Sequence, residues 1–85
     1  MIATQTTVGT SATKIIDKDN TTREIIVHVI GNQVVYLGGS DVTTSTGLYV
    51  DKGAGAVRIQ LLPNETLYGI VATTPEVVSC LLPDA

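Results

Sequence analysis

The sequence predicts an all-β fold: a small antiparallel β-sandwich or barrel, jelly-roll-like, with about eight short strands. Three observations predict it. Thr and Ser supply 17 of the 85 residues, and Val and Ile are frequent throughout. Residues branched at Cβ suit a pleated surface better than a helix. No window carries apolar residues at helical spacing over three turns. Finally, strand-like segments alternate with turn residues at near-regular spacing, the pattern of a sandwich or barrel.

In chain order, the predicted strands cover residues 3–8, 12–16, 24–30, 33–38, 48–50, 56–62, 66–72 and 76–82. The breaks fall at Asp17 to Asn20, Gly31-Asn32, Gly38 to Ser40, Gly53 to Gly55, Pro63-Asn64 and Thr74-Pro75. The sharpest local expectation is a hairpin. Gly31-Asn32 has the length and composition of a two-residue primed turn. That turn sets Val29 opposite Val34 and Val27 opposite Tyr36, on the side of Ile25, and this face goes to the core. The other face then carries Ile26, His28, Ile30, Gln33, Val35 and Leu37. A slip of one residue exchanges the two faces. Along 57–61, Val57, Ile59 and Leu61 alternate with Arg58 and Gln60, as in a strand with one solvated face. Residues 77–82 are apolar on both sides, which fits a central or interface strand.

A chain of 85 residues makes one domain. Residues 12–85 are expected to form the single β-sandwich domain. Residues 1–11 read as a polar N-terminal arm, too poor in apolar residues to pack alone and able to order on a partner. Folding at this size buries only roughly 60–65% of the unfolded surface, so stability is marginal. One cysteine excludes an internal disulfide, and one histidine excludes a multi-histidine metal site. Self-association is the remaining support.

The net charge is −3, and the five cations Lys14, Lys18, Arg23, Lys52 and Arg58 form no cluster. Nucleic-acid binding is therefore not expected. No segment has the roughly 18 consecutive apolar residues of a membrane span. The first residues lack the basic and apolar regions of a signal peptide, so cytoplasmic synthesis is expected.

Catalytic chemistry is sparse. His28 has no nucleophile signature to serve and reads as a strand residue. Cys80 has no cation nearby in sequence and reads as a small core hydrophobe. Asp17-Lys18-Asp19-Asn20 opens like a calcium loop but lacks the rest of the formula, so it reads as a polar turn. Gly38-Gly39, Gly53 and Gly55 match no phosphate-loop spacing and read as turn residues. Asn64-Glu65-Thr66 matches a glycosylation acceptor as a string and reads as a turn. No enzyme activity, cofactor or metal is expected.

Further residues carry a resemblance. Thr22-Arg23 leads into an apolar strand, followed by Val35-Tyr36-Leu37-Gly38-Gly39, Asp41-Val42-Thr43-Thr44 and Gly47-Leu48. A glycine-rich turn at 53–55, Leu67-Tyr68-Gly69-Ile70-Val71-Ala72 and a Val-rich last strand complete it. Over roughly residues 12–82, the chain resembles a small β-sandwich module of tailed-bacteriophage structural proteins. The resemblance implies a capsid decoration protein on the phage head, made in the host bacterial cytoplasm. It also leaves open a head-fibre base or a tail component. The implied partners are the major capsid protein and further copies of the chain, most often in trimers on local threefold axes. The expected oligomer interface is Ile26, His28, Ile30, Val35 and Leu37. The alternative from another class is a carbohydrate-binding β-sandwich, with Tyr49 as the tyrosine in a loop-like setting.

Overall fold

The computed structural model describes residues 1–83. Among them, eight strands form two four-stranded antiparallel sheets. They are β1 (Ile2–Val8), β2 (Thr13–Ile16), β3 (Arg23–Val29), β4 (Val35–Gly38), β5 (Leu48–Val50), β6 (Val57–Leu61), β7 (Leu67–Val71) and β8 (Glu76–Leu82). The first sheet has the order β1-β8-β3-β6 and the second β2-β7-β4-β5. Strands pair as 1 with 8, 2 with 7, 3 with 6 and 4 with 5. Rolling such a ribbon of nested pairs into two layers adds the pairs 3 with 8 and 4 with 7. This is the jelly-roll arrangement, and it fulfils the expected fold class.

The core lies between the sheets, and every strand contributes to it. Ile25, Val27 and Val29 of β3, Val35 of β4, and Val8 and Val78 are wholly inaccessible. Val50, Val71, Leu61 and Leu67 fill the remaining space. A register shift in β2 between Lys14 and Ile16 turns both Ile15 and Ile16 inward. Small aliphatic side chains fill this core without an aromatic, and space is tight at Gly69. A Cβ there would lie 2.7 Å from Ile15 Cδ1 and 3.3 Å from Val35 Cγ1.

Two expectations are corrected here. The 24–38 hairpin does not exist: β3 lies in the first sheet and β4 in the second. Residues 30–34 cross between the layers. Among the described residues, positive φ occurs at Asn64 and Gly55 and not at Gly31 or Asn32, so no primed turn forms. What holds the crossover is Glu76. Its carboxylate accepts hydrogen bonds from the backbone N–H groups of Gly31 (3.0 Å), Gln33 (2.8 Å) and Val77 (2.8 Å). As a result β4 has the opposite parity: Val35 and Leu37 face the core, and Tyr36 faces outward, half-buried.

The second correction concerns residues 1–11. Residues 2–8 are not an arm but a strand of the sandwich, in register with β8 from Ile2–Leu82 to Val8–Glu76. The strand expected at residues 3–8 is present, and because it pairs through its backbone with β8, its polar composition does not keep it from joining the sheet. Only Val8 of β1 is fully buried.

The loop at 17–20 behaves as read. Asp17 and Asp19 accept from the N–H groups of the residues that follow them, forming a polar turn. Asn64 occupies the left-handed region, and its N–H donates to the Asp19 carbonyl. Beside it, the buried Arg23 guanidinium donates to the carbonyls of Asp17 and Glu65, joining two loops at one end of the sandwich. Helical structure among the described residues is a single 3₁₀ turn, Lys52–Ala54, capped by the Asp51 side chain. Among the described residues, no helix is long and apolar enough to cross a membrane.

Candidate functional site

The expected interface residues do not share one surface. Ile26, His28 and Ile30 lie on the outer face of the first sheet, with Ile30 40% exposed. Val35 and Leu37 belong to the core and cannot contact a partner while the chain is folded. The crossover at 30–34 separates the two groups.

Other residues complete the outer face. Leu81 pairs with Ile26, and Ser79 pairs with His28. On the far side of β8, Ala3 pairs with Leu81 and Gln5 with Ser79. The Ile30 N–H donates to the Val77 carbonyl, extending the face along β8. Ala3, Gln5, Ile26, His28, Ser79 and Leu81 line an open depression of about 430 Å³. Ala3, Ile26 and Leu81 supply its apolar wall, and Gln5, His28 and Ser79 its polar one. His28 Nδ1 is shielded from solvent and has no hydrogen-bond partner. Past Ile26, the face ends in an exposed Arg58–Glu24 ion pair of 3.5 Å, a contact worth little in water. The two-sided apolar pattern of 77–82 was the sequence signal for this surface, and β8 is indeed a central strand.

The opposite side of the molecule collects all three tyrosines. Tyr36 pairs across strands with Tyr49 and with Ile70, and Tyr68 pairs with Gly38. Tyr49 is therefore on an edge strand and not in a loop. Its ring meets that of Tyr36 edge to face, with centroids 5.9 Å apart. Its hydroxyl donates to Asp51 Oδ2 at 3.2 Å, a bond that pushes the phenol pKa up. Tyr49 is 59% exposed. The loop from Gly39 to Gly47 folds back on this face. It seats Val42 where Cβ atoms on Gly38 and Gly47 would otherwise stand.

Cys80 is buried between its register partners Thr4 and Val27. Burial pushes its thiol pKa up. Among the described residues, no group of three His, Cys, Asp or Glu side chains converges as metal ligands would. The carboxylate that sequence reasoning missed, Glu76, is engaged by backbone and serves the fold.

The chain matches no protein-family model, no curated protein and no solved structure.

Proposed function

We propose that this chain is a non-enzymatic structural protein of a bacteriophage particle, a capsid decoration protein that seats the outer face of its first sheet on the major capsid protein. The observation that carries the reading is the open depression on the outer face of the first sheet, where Ala3, Ile26 and Leu81 lie beside His28. Apolar side chains gathered in a surface concavity mark an interaction site. Its charge pattern supports a protein partner over nucleic acid. Arg23 is buried, Arg58 is paired with Glu24, and Lys14 is paired with Asp17. Self-association belongs to the same reading, and the trimer implied by the resemblance is its first form.

The test is co-sedimentation of the purified protein with phage heads that lack it. Wild-type protein is expected to pellet with heads, and Ile26→Glu to stay in the supernatant with an unchanged melting temperature. Wild-type protein that binds tails and not heads, or neither, overturns the decoration role.

One observation favours a second reading, a glycan-binding module. All three tyrosines share one face, with the exposed Tyr49 ring fixed by Tyr36 and Asp51. Aromatic platforms beside polar groups suit the apolar faces of sugars. Binding on a glycan array that is lost in Tyr49→Ala supports it, and a blank array removes it.

A further inference from the structure

Sheet edges expose unpaired backbone groups, and proteins normally blunt them with short strands, charges, prolines or bulges. Three of the four edge strands among the described residues are blunted. β2 has four residues, an exposed Lys14 and a register shift. β5 has three residues. β6 carries Arg58, exposed and paired with Glu24 on β3. β1 has no such device. It runs seven residues, Ile-Ala-Thr-Gln-Thr-Thr-Val, without charge, proline or glycine and without a break in register.

We infer that β1 is the self-association edge and pairs antiparallel with β1 of a second copy across a twofold axis. This rests on the self-association in the reading above, and it replaces the threefold count with a twofold one. The second copy is the fitting occupant for four reasons. No charged side chain occurs before Lys14, so two copies of this edge do not repel despite a net charge of −3 on each chain. The end of β1 turns toward the second sheet, where the Gly9 carbonyl accepts from the Val71 N–H, which leaves residues 2–6 as the open stretch. Centred on Thr4, the pairing sets Ala3 opposite Gln5 and Ile2 opposite Thr6 of the second copy. Threonine pairs and uncharged neighbours are favourable partners across strands. Finally, Ala3 and Gln5 also line the depression, so the pairing joins two depressions on one continuous eight-stranded sheet. The contact is isologous and closes at two copies.

The experiment combines light scattering with hydrogen exchange on the full chain. Wild-type protein is expected to be a dimer at high micromolar concentration. Alternate amides within residues 2–6 should exchange faster as the protein is diluted. Ala3→Lys/Gln5→Lys, which sets lysines opposite one another, should sediment as a folded monomer with the melting temperature of the diluted wild-type protein. Ile26→Glu should remain a dimer while losing capsid binding. A monomer at all concentrations overturns the edge contact and leaves the capsid reading standing. So does an oligomer whose 2–6 amides ignore dilution, or one dissolved by Ile26→Glu and untouched by the lysine pair. A dimer that passes the scattering and exchange arms while wild-type protein fails to bind heads removes the capsid reading alone.

Discussion

The Glu76 carboxylate occupies the place where a Cβ on Gly31 would stand. A Cβ built on Gly31 would fall on Glu76 Oε2 and within 2.8 Å of Cδ. Residue 31 is glycine here not for a left-handed turn but because an acid from the start of β8 reaches under the crossover. That acid receives three backbone N–H groups. The two residues are 45 positions apart in sequence, and together they set where the chain leaves the first sheet.

A double-mutant cycle tests this relationship. Glu76→Ala leaves three backbone donors without their acceptor and should cost roughly 2–4 kcal/mol, since hydrogen bonds to charged groups are the stronger kind. Gly31→Ala should also destabilise, by displacing the carboxylate. In the Glu76→Ala background the same methyl has room, so its cost should fall by about 1 kcal/mol or more. Urea unfolding of the four proteins reads the coupling. Additive costs would mean that the carboxylate and the glycine do not share this space.

The same carboxylate gives a pH dependence. Burial by itself raises its pKa, but the N–H groups of Gln33, Val77 and Gly31, with Lys52 farther away, outweigh burial and hold it below the ordinary glutamate value. The unfolded chain therefore takes up this proton first on acidification. The stabilisation is present above the ordinary value of about 4.3 and is lost as pH falls through the lower folded value. The urea midpoint should drop on that acid limb, and Glu76→Gln should flatten the drop. An equally steep limb in Glu76→Gln assigns it to other carboxylates.

All eight strands were legible in the sequence to within two residues, because β-branched runs and turn residues mark them locally. The nested pairing was not, since it depends on which sheet each strand joins. The Gly31-Asn32 misreading shows the difference. Two adjacent residues of turn composition suit a hairpin locally, but a contact from Glu76 made the segment a crossover. That single change exchanged the faces of β4 and removed Val35 and Leu37 from the candidate surface. Ile26, His28 and Ile30 kept their places because the core face of β3 follows from its own alternation. The tyrosine face was hidden for a similar reason. Tyr36, Tyr49 and Tyr68 lie on three strands whose adjacency appears only in the folded sheet.

The parity of β4 is open to a direct check. Leu37 is 4% exposed, and its Cδ2 lies 3.5 Å from where a Cβ on Gly69 would be. Leu37→Ala should cost about 2–5 kcal/mol, the range for a core leucine. If β4 faced the other way, Leu37 would be a surface residue, and its truncation would stay within about 0.5 kcal/mol. Equilibrium unfolding in urea separates the two values. The m-value should be unchanged, which ties the loss to packing rather than to the unfolded state.

Cys80 reports on the pairing of β1 with β8. Cys80 is 4% exposed and lies between Thr4 and Val27 in register. Burial raises its pKa. Thiolate is the reactive form, so both access and ionisation protect the group in the native state. Alkylation should then require opening of the sheet, and its rate should rise with urea in step with the opening equilibrium. Replacing Thr4 with proline, which removes a backbone donor from β1, should speed native-state labelling well before global unfolding. Labelling of the wild-type protein at the rate of an unprotected cysteine in native buffer would show that β1 does not cover Cys80. It would return residues 1–11 to the role of an arm.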